Sequence, residues 1–192
     1  GGEGGLIAAA PVPFSAPEAP APVPRAGHHL LGAMNENLLD ILLVWGVDPA
    51  LTLPGFSEAA AEQVTLVNLS VLPNDTAGIA RWSLPEAADG ECWNDDVPPS
   101  PGGRAIAVLQ RPAMTPVNDA RGGIDVLLAL ARKVGGDLAE SFPWEDAEAF
   151  LRQGWRGVHE TGAGSVTAPS FDGFWERAVK AGLEPADLPG LA

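Results

Sequence analysis

Two apolar runs, each followed by a polar loop, dominate the chain between Leu39 and Pro85. Leu39-Asp40-Ile41-Leu42-Leu43-Val44-Trp45 breaks at Gly46-Val47-Asp48-Pro49, and Val64-Thr65-Leu66-Val67-Asn68-Leu69-Ser70 breaks at Pro73-Asn74-Asp75-Thr76-Ala77. Near-continuous apolar runs bounded by turn residues predict strands buried on both faces, as in a parallel sheet. Between them, Phe56-Ser57-Glu58-Ala59-Ala60-Ala61-Glu62-Gln63 is rich in helix formers and predicts a helix. Strand, helix and strand in that order make a right-handed crossover unit. Ligands of such sheets bind outside the carboxyl ends of the strands. The loops at 46–49 and 70–77 occupy that edge.

Further along, Ala105–Gln110 predicts a strand closed by Arg111-Pro112. Ile124, Leu127, Leu128, Leu130, Ala131 and Val134 share helical spacing over 124–134, and Gly135-Gly136 predicts the stop. A second helix is expected from Trp144 to about Trp155, with Ala147, Phe150, Leu151 and Trp155 on one stripe, and a last one from Phe171 to Ala181. A Gly/Ser/Thr connector, 161–170, separates these two. Glu86–Asp96 reads as an acidic loop around Trp93, and 97–104 as irregular. Residues 1–27 are rich in Gly, Pro and Ala, which favours extended, polyproline-like backbone. A short helix is expected over 28–37.

Composition narrows the function classes. The chain has 192 residues, 25 acidic and 11 basic, a net charge of −14. Only two of the basic residues, Lys133 and Lys180, are lysines. That balance argues against nucleic acid, whose phosphates need cations, and against an anionic membrane surface. A hydrophobic content of 46% supports a core, whereas 19 prolines and 23 glycines imply much loop. No apolar run approaches the roughly 20 residues of a membrane helix. The Gly1–Gly5 start without a Met reads as a position inside a longer polypeptide.

Candidate chemistry is sparse. A single cysteine, Cys92, rules out a disulfide framework or a Cys-rich metal site within the chain. Its neighbours Glu91, Asp95 and Asp96 raise a thiol's pKa, which reads as a spectator. Adjacent His28 and His29 rarely point at one ion, and His159 reads as a helix-terminal charge partner. The carboxylates Glu86, Asp89, Glu91, Asp95 and Asp96 lack the alternation of a calcium loop. No nucleophile elbow, phosphate loop or HExxH is present. What remains is the pair of strand-end loops. Asp48 and Asp75 can accept hydrogen bonds from a guanine or ribose, and Ser70, Asn74 and Thr76 can bond a sugar or phosphate. Equally, Asp48-Pro49 and Asn74-Asp75-Thr76 fit ordinary turn and helix-cap chemistry.

A series of stretches in order resembles the catalytic subunits of the bacterial molybdopterin oxidoreductase family, before its last domain. Gly1–Leu6 resembles the end of its glycine-rich turn. Leu42–Pro49 resembles its strand ending in Gly-x-Asn-Pro, with Asp48 where Asn is usual. Asn74-Asp75-Thr76-Ala77 resembles its Asp/Asn-Glu-Thr-Ala turn, and Ile79–Pro85 its Ala-Asp-x-x-Leu-Pro strand, with Arg81 in place of Asp. Glu91–Asp95 is similar to Glu-Ser-Trp-Gly-Asp. Gln110–Pro116 with Arg121–Leu130 is similar to Gln-Pro-x-x-x-Pro followed by Arg and Asp-x-Leu-Leu. Phe150–Trp155 and Phe174–Ala178 resemble the aromatic helices before the final domain.

The resemblance covers most of the chain and implies an α/β, Rossmann-like parallel sheet with flanking helices, preceded by an extended Gly/Pro-rich segment. The implied divisions are an extended segment at 1–35, a Rossmann-like cofactor-binding portion at 36–140 and a C-terminal helical extension at 141–192. It further implies a share in holding molybdopterin guanine dinucleotide with molybdenum, through Gly46, Asp48, Pro49, Ser70, Asp75 and Thr76. No residue of this chain is implied to be catalytic or a metal ligand. Implied partners are the remaining domains of a parent subunit, with iron–sulfur and membrane-anchor subunits. A relative of the same fold that holds no pterin and serves as a structural subunit is the alternative. A stand-alone acidic binding module is a third.

Overall fold

The computed structural model describes residues 26–96, 107–162 and 166–181. The expected extended backbone at 1–25, the whole irregular stretch at 97–104, the start of the strand at 105–110, part of the 161–170 connector and residues 182–192 lie outside them, as does the His28 side chain. The short helix expected over 28–37 forms as α1 (Ala26–Asn35). Leu30, Leu31 and Met34 give it an apolar face that enters a core.

The chain groups into two compact units. The first holds the described residues up to Ala88 together with Pro116–Gly123, and is α/β. After α1 come β1 (Ile41–Trp45), α2 (Pro49–Thr52), α3 (Phe56–Gln63), β2 (Thr65–Ser70), α4 (Asp75–Ile79) and β3 (Trp82–Pro85). The three strands form a parallel sheet in the order β1-β2-β3. Leu42 pairs with Leu66, Val44 with Asn68, Val67 with Trp82 and Leu69 with Leu84. This mixed α/β unit with a parallel sheet and flanking helices agrees with the class that the strand–helix–strand pattern predicts.

Burial on both faces does not hold for all strands. Helices α1 and α3 pack on Leu42, Val44 and Leu66, around the fully buried Met34 and Phe56. The opposite face carries Ile41, Trp45, Trp82 and Leu84, all exposed. Its central residue, Leu69, is buried. The reason lies in the strand order: with two crossovers running the same way across the sheet, right-handed connections put both sets of helices on one side. Ile79, expected in a strand, ends α4, because Asn74 caps that helix by accepting from the Ala77 N–H at 2.7 Å.

Trp45 lies across the bare face at the carboxyl end of β1, and its indole N–H donates to Glu86. A Cβ on Gly123 would overlap the indole ring, so only glycine fits there. Gly123→Ala is therefore expected to turn the indole off Glu86 and cost about 1 kcal/mol, the low end for overpacking, because the ring is 38% exposed and can yield. Urea denaturation together with tryptophan emission tests this; unchanged emission from the variant would contradict it.

The second unit holds Asp89–Thr115 and the described residues from Ile124 on. A short antiparallel pair, β4 (Asn94–Asp96) with β5 (Val108–Gln110), precedes α5 (Gly123–Val134), α6 (Gly136–Ser141), α7 (Ala147–Thr161) and α8 (Phe171–Ala181). The acidic loop thus contains a strand that its polar residues disguised. Gly135 and Gly136, both at positive φ, end α5 as expected, but the chain resumes at once as α6. Helix α7 starts three residues later than expected, where the Asp146 carboxylate caps it through the Ala149 N–H at 2.8 Å, and it runs on to Thr161. Leu109, Leu151, Trp155, Val158, Phe174, Trp175 and Ala178 form its core. Of the apolar spacing on α5, only Leu128 and Ala131 are buried, while Leu127, Leu130 and Val134 are exposed.

Candidate functional site

The loops after β1 and β2 meet at the carboxyl edge of the sheet, held by one carboxylate. Gly46 leaves β1 at φ +68 and donates its N–H to the Leu69 carbonyl at 3.4 Å. Asp48 stands just before α2 and Pro49 opens that helix, where a missing N–H is harmless. The Asp48 side chain does not cap its own helix. It reaches the start of α4 instead: Oδ1 accepts from the Thr76 N–H at 3.0 Å and the Thr76 hydroxyl at 2.6 Å, and Oδ2 from the Asp75 N–H at 3.2 Å. These bonds, the Thr76 hydroxyl foremost, hold the Asp48 carboxyl below its usual value against the opposing pull of desolvation. Thr76 is fully buried, and its Oγ1 also accepts from the Ala50 N–H at 3.0 Å. One hydroxyl therefore ties α2 to α4.

Beneath this clamp lies Asn68, fully buried in the middle of β2. Its Nδ2 donates to Ser70 Oγ at 2.8 Å and to Asn74 Oδ1 at 3.5 Å, while its Oδ1 has no partner. The amide orientation follows from its neighbour: Asn74 Oδ1 already accepts from Ala77, so a flipped Asn68 would set oxygen against oxygen.

Of the six residues the resemblance nominated, the structure bonds Asp48, Asp75 and Thr76 directly to one another, whereas Ser70 accepts from Asn68, which also donates to Asn74 rather than to those three. Gly46 and Pro49 shape the first loop without bonding to the other four. The Asp75 carboxylate is exposed. Asn68 escaped the sequence reading, although an amide inside an otherwise apolar strand was its signal. The cluster of Trp45, Glu86 and Gly123 escaped it too, since nothing local marks those residues as neighbours.

The donor set constrains what binds. The N–H groups of Asp75 and Thr76 face Asp48, and that of Ala77 faces Asn74. The start of α4 thus already holds an anion, its own carboxylate, and offers a phosphate no cradle. A group that presents donors finds a free acceptor in Asp75 on the rim. Among the described residues no three His, Cys, Asp or Glu side chains converge as a metal site. Nor is any described helix long and apolar enough to cross a membrane. No protein-family model matches the chain, and no curated protein matches it.

Proposed function

We propose that the α/β unit belongs to a molybdopterin oxidoreductase catalytic subunit and helps hold the guanine end of the pterin dinucleotide at the loops 46–49 and 70–76. The observation that carries this proposal is the convergence of those two loops at the carboxyl edge of a parallel sheet, with Asp75 exposed beside the clamp. Guanine presents N1–H and a 2-amino group side by side, a donor pair that suits one carboxylate. The start of α4, which Asp48 fills, would not be where its phosphates are held. The cofactor supplies the redox chemistry; these residues bind and orient. The remaining domains of the parent, and its electron-transfer subunits, are the partners.

Titration calorimetry with guanosine diphosphate tests the proposal. Saturable binding is expected, weakened about tenfold or more in Asp75→Ala by loss of a charge-assisted bond. Melting should be unchanged, since the side chain is exposed. One observation favours a second reading, the structural subunit without pterin: Asp48 and the first turn of α4 satisfy each other, as a scaffold requires. Absence of nucleotide binding, or binding that Asp75→Ala leaves intact, would overturn the pterin assignment at these loops.

A further inference from the structure

The middle of strand β2 carries an amide where its neighbours Leu66, Val67 and Leu69 are apolar. Side chains alternate along a strand, so Leu66, Asn68 and Ser70 share one face, the one that the helices cover. Leu66 belongs there to the core around Met34 and Phe56. Asn68, next along that face, is as fully buried as those two.

For stability alone the amide is a poor choice. Its Oδ1 is buried without a donor, and an acceptor left unpaired in that way opposes folding. Leucine has the same branched skeleton and no polar atom to satisfy. What the amide adds is reach toward the carboxyl edge. One Nδ2 carries two hydrogens, directed to Ser70 Oγ at 2.8 Å and to Asn74 Oδ1 at 3.5 Å. Ser70 ends β2 and Asn74 caps α4, so a single group spans both ends of the loop between them. Among the described residues, no backbone hydrogen bond involves Val71, Leu72 or Pro73, the loop itself. Asp48 holds the first turn of α4 to the loop after β1, and Asn68 holds the cap of α4 to its own strand.

We infer that Asn68 is a positioning residue: it sets the path of the loop 70–76, and through it the place of Asp75, at a cost in stability. Departures from a well-satisfied core collect where a site has to be held in one geometry. Asn68 touches no ligand, since it exposes no surface. Its part in binding rests on the nucleotide role proposed for these loops, whereas its hold on the loop does not.

Asn68→Leu separates positioning from packing. The Ala77 and Gly78 N–H groups donate to the side chain and the carbonyl of Asn74, and they report on that cap. Their hydrogen exchange, followed by NMR, should quicken about tenfold in the variant as the cap loosens. The Arg81 amide, bonded to the Leu66 carbonyl, should exchange as slowly as in the parent chain. Affinity for guanosine diphosphate should fall about tenfold, with no lower midpoint in urea. Asn68→Val, less bulky and suited to a strand, gives the same readings should leucine prevent folding. Unchanged exchange at Ala77 and Gly78 overturns the inference. So does a rise that Arg81 shares, the mark of a side chain that only packs, and so does full affinity in a variant whose parent binds. A parent chain that binds no nucleotide overturns the pterin assignment instead, and the exchange rates then decide the inference by themselves.

Discussion

Replacing Trp155 by alanine is expected to cost about 3–5 kcal/mol, the largest single loss that the second unit can suffer. The side chain is 5% exposed and lies among Leu151, Phe174 and the other core residues, with the Phe174 ring 6.4 Å away between centroids. Truncation would open a cavity bounded by helices α7 and α8. Trp155 also joins that core to the hairpin, because its indole N–H donates to Asp95 Oδ2 at 2.8 Å. Burial raises the Asp95 carboxyl above its usual value, the indole bond draws it back, and Asp96 adds repulsion.

The sign of the pH dependence follows. A raised folded-state value means that ionised Asp95 costs stability, a cost absent in acid and developed as the pH rises through the folded value. Trp155→Phe keeps most of the packing and removes the donor. Its deficit should therefore be the smaller of the two, and wider at pH 7 than on the acid side of the carboxylate range. Urea denaturation of both variants at the two pH values decides this. A Trp155→Phe deficit that does not change with pH would show that Asp95 draws nothing from the indole.

How far the chain announces itself varies with the kind of signal. Phe56–Gln63 and Phe171–Ala181 fall where helix formers and an aromatic stripe predict them, because the same residues supply both propensity and packing. Strand β2 is legible because it is buried on both faces. Strand β1 is the more apolar of the two but sits at an edge, and edge or centre is decided by strand order, which no local pattern contains. Strand β4 hides inside Asn94-Asp95-Asp96, whose composition signals a loop, since its partner β5 lies beyond a long connection. At the candidate site, proximity of the two loops follows from the crossover geometry and was legible. The bond from Asp48 to α4 was not: Asp-Pro reads as the cap of the helix it precedes, whereas this carboxylate caps a helix 27 residues further on.

Thr76→Val is expected to separate the joint from the rim of the same site. Valine keeps the shape of threonine and deletes the hydroxyl, leaving the Ala50 N–H without its acceptor, a loss of about 1–3 kcal/mol for a fully buried position. It also removes the foremost cause that holds the Asp48 carboxyl low. A depressed folded-state value contributes stability above the ordinary carboxylate value and loses it as the pH falls through the folded one. The variant's melting temperature should therefore fall less steeply with acid than the parent's, the two curves converging at low pH. Because Thr76 exposes no surface, any effect on guanosine diphosphate must pass through the geometry of the two loops, whereas Asp75→Ala acts at the rim with melting unchanged. Loss of nucleotide affinity in both variants would assign the clamp to positioning a binding loop. Loss of stability in Thr76→Val, with neither variant altering nucleotide binding, would assign Asp48 and Thr76 to the scaffold alone.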